Sequence, residues 1–176
     1  TIAHRASRSN LLDAIRRSAD SVPRVGRAAA DLCRLAFALA AADDAKTIAR
    51  IALTSAIDGA AASGGLVFLP TRLGDAPPER PSAQGLMVTL SVPDPWPPEA
   101  AAPSIAEVLE GNEAVLTAGS GGTAGALAAP IRGQGRPVGV LYLEASPTRP
   151  ATPEDLEFVM AVCDAAGVAI DNLAAR

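Results

Sequence analysis

Few residues in this sequence have the type and spacing to do chemistry. Gly119 to Ala124 reads Gly-Ser-Gly-Gly-Thr-Ala, a formal match to the G-x-G-x-x-A turn that cradles a dinucleotide pyrophosphate. That turn must link a strand to a helix, with an acidic residue about 20 positions on. Here the proline-containing run ALAAPI follows it. The segment therefore reads as a flexible loop whose glycines let backbone approach a pocket closely. His4 is the single histidine, so any Ser-His-Asp or Cys-His relay would have to use it from the start of the chain. Glu107, Glu110 and Glu113 fall in or just after a short helical stretch and read as a solvated face. Cys33 and Cys163 lie at apolar helical positions and read as packing residues. No three residues have zinc-ligand spacing. The expectation is a non-enzymatic domain with no catalytic residues, no metal and no cofactor.

Side chains that could meet a small molecule are sparse. Trp96 in PDPWPP is a pocket lid or a loop anchor, the anchor being favoured. Tyr142 could point its hydroxyl into a pocket or at a helix. With Ser104, Thr117, Ser120 and Thr123 these make up the candidate ligand-binding set.

The elements that must position them sit in a chain of 176 residues, enough for one domain with a core plus a short extension. Hydrophobic residues make up 49% and charged residues 19%, which marks a globular chain. Aromatics are only 3%, so the apolar content is largely Ala, Leu and Val, the balance of a helix-rich protein with small contacts. A net charge of -4 without a basic run argues against nucleic-acid binding. The longest apolar run, Leu35 to Ala42, is too short to span a bilayer. No signal-peptide pattern appears, and the chain starts at Thr1, so a fragment of a larger cytoplasmic protein is expected.

Residues 1–26 are read as a linker and 27–176 as the domain. Periodicity predicts helices over Arg27–Ala42 and Ala45–Ala61. In the first, Leu32, Leu35, Ala36 and Leu39 form the stripe. In the second, Ile48, Ile51, Ala52 and Ser55 do, widened by Leu53 and Ile57. Strands follow at Leu66–Pro70 and Leu86–Val92. A short helix spans Ser104–Asn112, with Ser104 as cap, Glu107 at the capping-box position and Gly111 as stop. Further strands are read at Ala114–Thr117, Ala126–Ile131 and Pro137–Glu144. A last helix begins at Thr152 as N-cap, with Pro153 in its first position and Glu154 and Asp155 in its first turn. Its stripe is Leu156, Val159, Met160, Cys163, Gly167, Ile170 and Leu173. The order ααββαβββα makes an α+β domain with an antiparallel sheet.

The strand Pro137–Glu144 is apolar at consecutive positions. Val138, Val140 and Tyr142 are assigned to one face, and Gly139, Leu141 and Leu143 to the other. A sheet with one wet face alternates polar and apolar residues. This strand is therefore expected to be central and covered on both sides. The terminal helices cover one face. The short helix and the Pro/Gly-rich loops cover the other, where a small-molecule pocket would form.

The hairpin ending in PVGVLYLE and the helix TPEDLEFVMAVCDAAGVAIDN resemble the C-terminal half of a GAF domain. SIAEVLEGNEAVL is similar to the GAF run in which a short helix precedes a strand, and AIDGAAASGGLVFLP to the first helix-to-strand passage. The resemblance covers residues 28–176. It implies a GAF-like (profilin/PAS-like) six-stranded antiparallel sheet, with terminal helices on one face and a short helix plus loops on the other. Five strands are read, so the sixth is sought in residues 72–84 or near 118–126. TIAHRASRSNLL is weakly similar to the stretch after the forkhead-associated (FHA) domain of bacterial FHA–GAF proteins. Cyclic-nucleotide-binding GAF domains carry an Asn-Lys pair after the hairpin and then Phe-x-x-x-Asp-Glu. The matching positions here are Ala145-Ser146, Ala151, Asp155 and Leu156, and only Asp155 agrees. Bilin attachment and methionine sulfoxide reduction use cysteines near the sheet and its loops, and neither role carries over to Cys33 or Cys163. The resemblance implies a sensory or signal-transmitting domain of a cytoplasmic bacterial signalling or transcription-regulatory protein. Its expected partners are an unidentified small molecule, a second copy through the first and last helices, and a covalently linked output domain, with neither nucleic acid nor membrane. The alternative is a non-binding dimerisation module of the same fold.

Overall fold

The computed structural model describes residues 2–6, 22–70, 86–93, 101–119, 124–134 and 136–176. Within them the elements run β1 (Ile2–Ala6), α1 (Val22–Ala40), α2 (Ala45–Ala60), β2 (Ala62–Pro70), β3 (Leu86–Val92), α3 (Ala102–Gly111), β4 (Ala114–Thr117), β5 (Ala126–Gly133), β6 (Arg136–Ala145) and α4 (Pro153–Ala174). The strands form one six-stranded antiparallel sheet in the order β1-β4-β5-β6-β2-β3.

Local chemistry sets the helix ends. Asp44 caps α2, its carboxylate accepting the Thr47 N–H at 2.8 Å and the Thr47 hydroxyl at 2.6 Å. Thr152 caps α4 through a reciprocal capping box. The Asp155 N–H donates to the Thr152 hydroxyl at 3.3 Å, and the Thr152 N–H donates to the Asp155 carboxylate at 2.8 Å. Arg149 donates to that carboxylate at 2.8 Å and to the Ala60 carbonyl at 2.6 Å, tying the end of α2 to the start of α4.

Helices α1, α2 and α4 cover one face of the sheet. Leu35, Leu53, Leu156, Val159 and Met160 pack there on Val67, Leu127, Leu141 and Leu143. Each fully buried leucine side chain contributes about 2 kcal/mol of burial free energy. Helix α3 covers the other face, with Ile105, Val108 and Leu109 seated on Leu66, Phe68, Val115, Ala128, Val140 and Tyr142. Strand β6 is thus central and buried on both sides, as its sequence predicts.

Several expectations need correction. The sixth strand of the described sheet is Ile2–Ala6, at the sheet edge beside β4, a segment read from the sequence as linker. Residues 71–85 and 120–123 lie outside the described residues. The first helix starts at Val22, ahead of the expected Arg27. Ser104 does not cap α3. Ala101 holds the N-cap position with no side-chain cap bond, Pro103 sits in the first turn, and Asn112 ends the helix with φ 49°. Cys33 and Ala36 are exposed, because α1 turns Leu35 and Leu39 inward on its other side. Val138 packs toward α4 and not with Val140 and Tyr142. It is the extra residue where the β5–β6 register shifts, which reverses its side.

Candidate functional site

Antiparallel pairing sets the polar side chains of the α3 face in two rows. Ser91, Leu66, Tyr142, Ala128, Val115 and Arg5 stand in register from one sheet edge to the other. Cross-strand partners share a face, and Leu66, Tyr142, Ala128 and Val115 belong to the core beneath α3. Arg5 accordingly pairs with Glu107 of α3, tying the edge strand to the covering helix. The neighbouring row holds Gly64, Glu144, Ala126, Thr117 and Ile2.

These rows bring Tyr142 and Glu144 together, two positions apart on one strand face. Tyr142 is 5% exposed. Burial raises the pKa of its phenol, and the Glu144 carboxylate raises it further. Neither the Tyr142 hydroxyl nor the Glu144 carboxylate has a hydrogen-bond partner among the described residues. The Thr117 hydroxyl is committed, accepting the Ala126 N–H at 3.1 Å and donating to the Ala126 carbonyl at 3.3 Å. It closes the base of the loop after β4. Ser104 is half-buried within α3. Trp96, Ser120 and Thr123 lie outside the described residues.

Sequence reasoning missed Arg132. Its guanidinium, 8% exposed, donates to the side-chain and backbone oxygens of Asn112 at 3.2 and 2.8 Å and approaches Asp164 of α4 at 3.5 Å. One side chain thus links the C-cap of α3 with α4. These residues come from three elements and carry no local motif, so no sequence signal could have found them. Below Arg132, Gly167 of α4 lies against the Arg132 carbonyl, 1.9 Å from where an added Cβ would stand.

A concavity of about 340 Å³ opens on the helical side between α1, α2 and α4. Leu35, Ile51 and Phe158 line it, with Asp31, Arg34 and Asp58, and Asp31 is ion-paired to Arg34. Elsewhere on the surface large apolar side chains are exposed, Phe37 of α1 at 80% and Val168 of α4 at 59%. Cys163 is fully buried, its thiol pKa pushed up mainly by burial, with Asp164 adding to the shift and Arg132 opposing it. Among the described residues no group of three His, Cys, Asp or Glu side chains could hold a metal ion, and no helix is long and apolar enough to cross a membrane.

A family model for the GAF domain matches residues 44–170. No curated protein matches the sequence. Among solved structures, the chain is similar to the GAF domain of an Acinetobacter phosphoenolpyruvate-protein phosphotransferase, with TM-score 0.59 and 13% identity, covering 82% of this chain and 93% of that one. It is also similar to the GAF domain of the potassium sensor histidine kinase KdpD from Escherichia coli, with TM-score 0.50 and 20% identity, covering 84% of this chain and 98% of that one. At these identities the likeness is one of fold.

Proposed function

The chain belongs to the GAF domain family, and on that premise we propose that it is a sensory, signal-transmitting domain of a larger cytoplasmic bacterial signalling or transcription-regulatory protein. Its input is a small molecule held between the sheet and α3. Its output passes through α1 and α4 to a covalently linked domain. The observation that carries this reading is β6, which buries Tyr142 under α3 and Leu141 and Leu143 under the terminal helices. Close-packed layers respond to a displaced helix by discrete shifts, so a change at α3 is felt at α4. Arg132 gives the same two helices a polar connection. The fold shared with domains of a phosphotransferase and a sensor histidine kinase supports a regulatory role.

A second reading is an interaction module that pairs with another copy through α1 and α4. It is favoured by the exposure of Phe37 and Val168, and by the direct seating of aliphatic α3 side chains on the sheet.

Two measurements separate these readings. A small-molecule thermal-shift screen is expected to yield compounds that stabilise the chain if it senses. Sedimentation is expected to show a concentration-dependent dimer, lost in Phe37→Asp or Val168→Asp, if it pairs. A stable monomer with no stabilising compound would contradict both.

A further inference from the structure

We propose that the α3 face of the sheet holds a site for a planar amidinium or guanidinium cation with an apolar body, gripped by the Glu144 carboxylate and the Tyr142 hydroxyl. This deepens the sensing reading and rests on it. Tyr142 is 5% exposed as a residue, and its phenol has no partner among the described residues, whereas buried hydroxyls in folded proteins are mostly bonded. The Glu144 carboxylate, also without a partner among the described residues, lies two residues on, on the same face, half-buried.

The side chains flanking this pair in the sheet are small, and the polar groups select the chemistry. In its row Glu144 is flanked by Gly64 on β2 and Ala126 on β5, and Tyr142 has Ala128 beside it on β5. None of these carries more than a methyl group. Leu66, Ile105 and Val108 supply apolar walls. The nearby Thr117 hydroxyl is taken up by the Ala126 backbone, so among the described residues of these rows Glu144 and Tyr142 carry the free polar capacity. An ionised carboxylate only accepts, and a phenol oxygen can accept as well. An anion would meet repulsion from Glu144. A forked N–H donor set satisfies a half-buried carboxylate with two parallel bonds and neutralises its charge.

The test uses three isosteric probes on the full chain: benzamidinium, benzamide and benzoate, read by thermal shift and calorimetric titration. Benzamidinium is expected to raise the melting temperature and to bind at least about tenfold more weakly in both Tyr142→Phe and Glu144→Gln. Benzoate is expected to leave wild type unshifted. Without probe, Tyr142→Phe is expected to keep or raise the melting temperature, because it removes a hydroxyl that has no partner among the described residues. The site is overturned if benzoate binds as well as benzamidinium, if none of the probes binds, if the benzamidinium shift survives both substitutions, or if Tyr142→Phe lowers the melting temperature of the free chain. Failure of benzamidinium while other screened molecules stabilise the chain removes the cation assignment and leaves the sensing reading standing. Failure of every molecule removes both.

Discussion

Arg132 donates from Nη2 to the backbone carbonyl of Asn112 at 2.8 Å, so a strand residue closes the C-terminus of the helix on the α3 face. The same guanidinium reaches Asp164 on the opposite helical layer. Asn112 sits at φ 49°, where the last turn of α3 exposes carbonyls that need donors. Replacing Arg132 by Met is expected to cost about 2 kcal/mol, the scale for losing hydrogen bonds to a charged group. Urea unfolding measures this. Arg132→Lys is expected to recover less than half of the loss, because an ammonium cannot reproduce the forked donor geometry.

Two glycines should respond differently to the same substitution. A Cβ on Gly167 would stand 1.9 Å from the Arg132 carbonyl oxygen, a backbone atom within the sheet. Gly167→Ala is expected to destabilise by about 3 kcal/mol or more, since α4 must lift off β5. A Cβ on Gly59 would stand 2.0 Å from the Phe158 ring, a side chain able to swing into the adjoining groove. Gly59→Ala is expected to stay within about 1 kcal/mol of wild type, helped by the better helix propensity of alanine. Chemical denaturation of both variants checks the contrast.

The Asp44 cap makes a prediction about acid stability. The Thr47 hydroxyl and then the Thr47 N–H hold the Asp44 carboxyl below its ordinary value. A depressed folded-state pKa contributes stability above the ordinary value that is lost as pH falls through the lowered one. Asn caps helices as well as Asp but does not titrate. Wild type is therefore expected to exceed Asp44→Asn in stability at neutral pH, and the difference is expected to shrink as pH falls from about 5 through the ordinary Asp value of about 4 and below. Denaturation midpoints across that range measure it.

The covered centre of the fold was legible in the sequence because its signals are local. Consecutive apolar residues from Val140 to Leu143 announce two covers, and Thr152, Pro153 and Asp155 announce a helix start. Strand β1 was not legible. An edge strand pairs on one side only, and its exposed His4 and Arg5 read as a polar tail. Ser104 and Glu107 mimic a capping box, yet the helix begins earlier, with Pro103 in its first turn and no capping side chain. Val138 was assigned by strict alternation, and the register shift that reverses it has no sequence signature. Of the candidate site residues, Tyr142 could be placed near a cover but not given neighbours. Its adjacency to Glu144, and both to Ala126 and Ala128, depends on the β5–β6 register.

In the proposed signalling role, the α3 face and the helical face act together through the sheet. Val108→Ala opens space beneath α3 at an expected cost of about 2 kcal/mol without touching α4. Native-state hydrogen exchange read by mass spectrometry then tests the claim most directly. Faster exchange is predicted in α3 and selectively in α4 over 156–170, with α2 unchanged. Acceleration confined to α3, or equal acceleration of α2 and α4, would contradict it.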